Sequence, residues 1–173
     1  DLDFFSESEI DLLSVNIFLA KIKKEAGFTK IEYRQHQNRN LYQCRYNDTV
    51  LKVEFTYYPF PRIEKSKREY NVAIDSVLDI AVNKLFTIYQ RSMARDYIDL
   101  YCLCKEKGYV INELIDLAKA KFDWHIDPLQ LGCQFIKASD AIDYPVMTRK
   151  TDHEQWKRFF IKEAKKFKGD ILY

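Results

Sequence analysis

Residues 29–57 read TKIEYRQHQNRNLYQCRYNDTVLKVEFTY. Three runs rich in β-branched and aromatic residues stand here, about 29–37, 40–46 and 49–57. Asn38 to Asn40 separate the first two, and Asn47-Asp48 separates the last two. Alternating runs joined by such short turns predict an antiparallel meander. In the third run the period of two places Leu51, Val53 and Phe55 on one face and Lys52, Glu54 and Thr56 on the other.

Upstream, residues 7–26 carry apolar positions at Ile10, Leu13, Ile17 and Ile22, widened by Leu12, Val15, Phe18 and Leu19. That is a helical period, and Gly27 is a natural stop for it. The opening DLDFF at 1–5 suits a strand. Downstream, Pro59 and Pro61 close the sheet region, Arg62 to Glu69 reads as an exposed charged loop, and Tyr70 to Ile74 as one more short strand. From Ser76 onward the pattern is helical: about 77–91, 93–107, 111–122, 128–139 and 152–168, with breaks at Gly108, Pro128, Pro145 and Gly169. The order of helix, strands and then helices predicts an α+β catalytic module over 1–75 followed by a helical bundle over 76–173.

The 173 residues carry 28 Lys and Arg against 26 Asp and Glu, a net charge of +2. Near balance excludes a global field for nucleic acid, so any such partner needs a local basic patch. The four cysteines, Cys44, Cys102, Cys104 and Cys133, form no CxxC pair and read as reduced core thiols of a cytoplasmic protein. No apolar run approaches a membrane span, and no signal peptide is visible. The three histidines lack metal-ligand spacing. Trp124 and Trp156 read as core or inter-helix anchors. The basic run Lys157, Arg158, Lys162, Lys165, Lys166 and Lys168 reads as a solvated face, with an RNA contact as its minority reading.

The chemistry-bearing candidates are acids and two cations. On a strand, Asp1 and Asp3 point to the same face, where two carboxylates at ~4 Å repel by roughly 4 kcal/mol at an effective dielectric near 20. A divalent cation with hard oxygen ligands turns that penalty into binding. Two exposed acids near a chain end are the blander alternative. Glu54 is either the solvated side of a half-buried sheet or a third acid beside them, completing a set for two Mg²⁺ ions and an in-line attack on a nucleotide phosphate. On the helix over 77–91, Val77, Ile80, Lys84, Ile88 and Arg91 fall on one line. Cations set among apolar side chains need partners. Asp96 and Asp99 of the next helix could supply them, or a phosphate could. Ser76 and Asp79 have the spacing of an N-terminal capping pair, which assigns Asp79 to the helix rather than to chemistry.

Taken together, DLDFFS at the start, VLDIAVNKLFTIYQR at 77–91 and RDYIDLYCL at 95–103 resemble the AbiEii-type nucleotidyltransferase toxins, polymerase-β-like in fold. The resemblance implies Asp1 and Asp3 as metal-binding acids, Glu54 as the strand acid, Lys84 as the helical lysine that with Arg91 meets the nucleotide, and Asp96 or Asp99 as the downstream acid. It implies Mg²⁺ or Mn²⁺, an NTP substrate, transfer of its NMP to an acceptor hydroxyl with tRNA as an acceptor in some relatives, a cognate antitoxin, and a role in phage defence. The family's Gly-Gly-Ser/Thr loop, which precedes the DxD motif, is absent from these residues, so the chain is expected to begin partway through its own metal motif. The rival expectations are an inactive interaction protein of the same fold, an RNA-binding module, and a kinase-like phosphotransferase.

Overall fold

In the computed structural model, residues 1–147 and 151–167 are described, and they form two compact units, Asp1–Pro61 and Arg62–Tyr173. The α+β class expected from the order of elements is what the chain adopts.

The first unit holds strand β1 (Leu2–Ser6), helix α1 (Leu12–Glu25) and strands β2 (Lys30–His36), β3 (Arg39–Tyr46) and β4 (Thr49–Tyr57). The meander is present: β2 pairs antiparallel with β3, and β3 with β4. The opening strand adds to its far edge, parallel to β4, giving the order β1-β4-β3-β2. A parallel pair needs a long crossover, and α1 with β2 and β3 supplies one. Leu19, Tyr42, Cys44 and Val53 form the buried centre, with Phe4, Val15, Ile22, Leu51 and Phe55 packed around it. All of the strand residues among these share the face toward α1, so the other face is left to Asp3, Lys52, Glu54 and Thr56.

Helix α1 differs from its expected range. It begins at Leu12, because the Asp11 side chain accepts from the Leu13 amide and caps it. Residues 7–11 lie outside it, and Leu13, Ile17 and Phe18 are exposed, so only Val15, Leu19 and Ile22 of the expected stripe pack on the sheet. Gly27, at φ +70, ends the turn after the helix, and a Cβ there would meet the Tyr46 ring at 2.8 Å.

In the second unit the stretch expected to be a loop is partly paired. Lys67–Glu69 (β5) and Val72–Ile74 (β6) form a hairpin whose tip residues, Tyr70 and Asn71, both have positive φ. Helices α2 (Val77–Gln90), α3 (Ala94–Lys107), α4 (Ile111–Phe122), α5 (Pro128–Ile136) and α6 (His153–Lys166) follow close to the expected places, and a 3₁₀ turn continues α5 over Lys137–Asp140. Gly108, left-handed at φ +73, closes α3. The break expected at Gly169 and the last basic position, Lys168, lie outside the described residues.

The bundle core contains Val82, Leu85, Ile88, Leu100, Leu114, Leu131, Phe135, Trp156 and Phe160. Trp156 is the expected anchor, stacked near Tyr97 with ring centroids 6.0 Å apart. Trp124 is not an anchor, being 59 % exposed past the end of α4. Cys44 and Cys104 are buried thiols, Cys102 is half-buried and Cys133 is exposed, so the core reading fails for Cys133. No helix among the described residues is long and apolar enough to cross a membrane.

Candidate active site

Two groups of charged side chains result, one on each unit. On the first, the register of the parallel β1–β4 pair sets Asp3 directly beside Glu54. Because side chains alternate, the two carboxylates share a face of the sheet, and Asp1, just before β1, shares it too. Between them lies an ammonium. Lys52 Nζ is 3.8 Å from an Asp1 oxygen, 3.7 Å from Asp3 and 3.3 Å from Glu54. The Asp1 and Asp3 side chains are 61 % and 48 % exposed. Glu54 is buried.

A buried carboxylate is tolerable only when it is paired. Arg39, across the β3–β4 ladder, grips Glu54 in a fork, with Nε–Oε1 at 2.5 Å and Nη2–Oε2 at 2.7 Å. The Thr56 hydroxyl donates to the same carboxylate at 2.9 Å. The Arg39 bonds, outweighing burial and helped by Thr56 and Lys52, hold the Glu54 carboxyl down at about 2. The same pairing raises Arg39 above its ordinary range. Glu54 is therefore an anion at any physiological pH. Arg39 was hidden in the sequence among the turn residues Asn38 to Asn40, whereas the turn closes on Gln37 and Asn38 and β3 starts at Arg39 itself.

These acids are the right donors for a hard divalent cation, since each offers carboxylate oxygens on one face. Among the described residues no three acids, histidines or cysteines converge closely enough to chelate an ion directly. The position between the carboxylates instead holds the Lys52 ammonium, a cation standing where a divalent ion would stand. The donor chemistry and the resident positive charge both fit such an ion.

On the second unit, α2 and α3 present the other group. Lys84 Nζ lies 3.0 Å from Asp96 and 2.6 Å from Asp99. Arg91 Nη2 reaches the other Asp96 oxygen at 3.1 Å. The Asp96 side chain is 2 % exposed and takes both cations, while those of Asp99 and Arg91 are 50 % and 44 % exposed. Arg91 is not the last residue of the expected helix but its extended C-cap, which turns its side chain back along α3. The ion-pair network between the two helices is thus real. It holds Lys84 charged and fixed, with a quarter of its side chain exposed.

Asp79 acts as expected and does more. Its carboxylate accepts from the Ser76 hydroxyl, and its amide donates to Ser76 Oγ. It also takes the amides of Ile63 and Glu64, and Lys121 Nζ at 2.7 Å, a pair whose side chains are 0 % and 1 % exposed. Burial alone would raise the Asp79 carboxyl, but Lys121 and the other donors together bring it below its ordinary value. This clamp ties the segment after Pro61 to α2 and α4.

The fold is that of nucleotidyltransferase-like structures. JHP933 from Helicobacter pylori matches with a TM-score of 0.50 at 21 % identity, over 98 % of this chain and 78 % of that one. A candidate nucleotidyltransferase from H. pylori matches with a TM-score of 0.52 at 20 % identity, over 95 % and 79 %. In sequence, residues 1–168 match the family described as the nucleotidyl transferase AbiEii toxin of type IV toxin–antitoxin systems, and the chain belongs to that family. The protein aq_aa25 of Aquifex aeolicus (strain VF5) is 28 % identical over 132 residues, which cover 70 % of this chain and 57 % of that protein. The chain therefore spans little more than half the length of that relative.

Proposed function

We propose that the protein is a nucleotidyltransferase that moves a nucleoside monophosphate from an NTP to an acceptor hydroxyl. The acceptor oxygen bonds to the α-phosphorus, the bond to the β-phosphate oxygen breaks, and pyrophosphate leaves with the electron pair while the hydroxyl proton passes to solvent or a carboxylate. The observation that carries this reading is the gathering of Asp1, Asp3 and Glu54 on one sheet face around a single cation. Family membership supports the same reaction class.

Asp1, Asp3 and Glu54 are the residues that would hold Mg²⁺ or Mn²⁺, which when bound supplies charge neutralisation at the phosphates. Glu54, clamped by Arg39, stays ionised and fixed, while the more exposed Asp1 and Asp3 can adjust around an ion. Lys84 and Arg91 serve the triphosphate, and Asp96 and Asp99 orient the lysine. Phosphoryl-group transfer depends chiefly on positioning and charge, so loss of one metal acid removes most of the rate. The proposed setting is a cytoplasmic toxin with a cognate antitoxin, acting in phage defence with a tRNA as the candidate acceptor. The direct test is turnover by the whole protein carrying Asp3→Ala, with circular dichroism to follow folding. Folded protein without transfer supports the assignment, and retained transfer removes it.

The Arg39 fork on Glu54 favours a second reading, in which the acids survive as ion pairs in an interaction protein of the same fold. Calorimetry separates the two, because that protein shows no Mg²⁺-dependent NTP binding. In the kinase-like alternative the γ-phosphate would move instead of the NMP.

A further inference from the structure

We infer that Lys52 is a resident, displaceable counter-ion of the three-acid site, an ammonium that a divalent ion must push out before it can bind. The inference rests on the metal reading given above and adds a role for a residue that reading leaves unused.

The two cations on this sheet face are held differently. Arg39 makes short forked bonds to Glu54 alone, at 2.5 and 2.7 Å, as a structural tie does. Lys52 is shared among three acids at 3.3, 3.7 and 3.8 Å, all longer than the usual range for a charge-assisted hydrogen bond. No single acid owns it. An ammonium is a compact, strongly hydrated charge on a flexible stem, and the Lys52 side chain is 31 % exposed, so solvent is open to it. With Lys52 in place, the three carboxylates stay together without an ion and do not repel one another apart.

Binding a divalent ion to these acids then becomes an exchange of one cation for another. Free metal ions are held weakly, because each must first displace Lys52. A metal that arrives with a triphosphate brings its own anionic oxygens, which can accept the released ammonium. Lys52 would thereby link metal loading to nucleotide arrival.

The test reads metal binding, not turnover. Free Mn²⁺ is titrated with the whole protein by electron paramagnetic resonance, without nucleotide, for the wild type, Lys52→Met, Lys52→Arg and Asp3→Asn. Met keeps the stem length and removes the charge. The expected result is about tenfold tighter Mn²⁺ binding by Lys52→Met, which corresponds to ~1.4 kcal/mol, affinity near wild type for Lys52→Arg, and loss of binding in Asp3→Asn. Thermal unfolding gives the second readout. Metal-free Lys52→Met melts lower than wild type, and Mn²⁺ raises its melting temperature by more than it raises that of the wild type. Unchanged or weaker Mn²⁺ binding by Lys52→Met, with Asp3→Asn still losing it, overturns the role of Lys52 and leaves the metal site standing. Wild-type binding by Asp3→Asn removes the metal reading itself. Should Lys52→Met fail to fold, Lys52→Gln takes its place under the same criteria.

Discussion

Asp3 and Glu54, 51 positions apart in the chain, are register partners across the parallel pair of β1 and β4, and one lysine ammonium contacts both. Neighbouring strands lie only about 4.8 Å apart, so the pairing itself brings the two carboxylates within reach of one ion. The fold thus builds the candidate site with its backbone before any side chain adjusts.

Glu54 should govern part of the acid sensitivity of the first unit. Its folded carboxyl titrates at about 2, against an ordinary value of 4.5. Because the folded value is depressed, its stabilising contribution is complete above pH 4.5 and is lost as pH falls from there through about 2. The shift corresponds to roughly 3 kcal/mol at most. Denaturant unfolding of Glu54→Gln from pH 7 to pH 2 should show a variant weaker than wild type at neutrality and converging with it in acid. A constant difference across that range contradicts the ionic account.

Asp96 should matter more to stability than Lys84, although both belong to the same proposed site. Lys84→Met leaves Asp96 paired with Arg91, whereas Asp96→Ala leaves two cations facing a buried gap. Breaking a buried pair costs on the order of 3–5 kcal/mol when a charge is stranded. Partial exposure of both cations lowers this to about 2 kcal/mol for Asp96→Ala, and Lys84→Met should lose less than half as much. Both variants should lose transfer activity. An equal loss of stability, measured by urea unfolding, would show that Arg91 gives Asp96 no support.

The clamp of Asp79 and Lys121 should behave as an inseparable unit. Both side chains are almost fully buried, so either single truncation strands a charge and costs roughly 3–5 kcal/mol. The paired change Asp79→Asn with Lys121→Met should cost less than the sum of its parts, and a double-mutant cycle measures this directly. Additive losses would show that the two groups do not depend on each other.

Thiol chemistry offers a check on burial. Desolvation, with the Glu163 charge adding to it, pushes the Cys104 thiol up to about 12, and burial raises Cys44 as well. Only thiolates react quickly with alkylating reagents. Mass spectrometry after brief iodoacetamide treatment at pH 8 should therefore find Cys133 modified first and Cys44 and Cys104 protected until the protein unfolds. Early labelling of Cys104 contradicts the packing of α3.

Much of this arrangement was legible before any coordinates. The period of two put Lys52, Glu54 and Thr56 opposite Leu51, Val53 and Phe55, and turn residues set the meander. Ser76 and Asp79 marked the start of α2 by their spacing alone. The parallel partnership of β1 with β4 was not legible, because it joins segments some 50 residues apart and local pattern carries no register across that distance. Arg39 looked like a turn residue because Asn stands on both sides of it. Lys121 passed unnoticed, although it follows Leu114 and Ala118 at helical spacing on a buried face, a position where a lysine needs a buried partner. The early end predicted for α1 failed for a related reason: Ile10 and Leu13 fit the helical period, but the Asp11 cap fixes where the helix starts.

The central claim is that the α-phosphate, not the γ-phosphate, is transferred by a site built on Asp1, Asp3 and Glu54. Parallel reactions of the whole protein with α-labelled and γ-labelled NTPs, Mg²⁺ and an RNA acceptor test it most directly. The account predicts label on the acceptor only from the α-labelled nucleotide, pyrophosphate in solution, and neither product with Asp3→Ala. Label reaching the acceptor from the γ position, or α-transfer undiminished in Asp3→Ala, would contradict it.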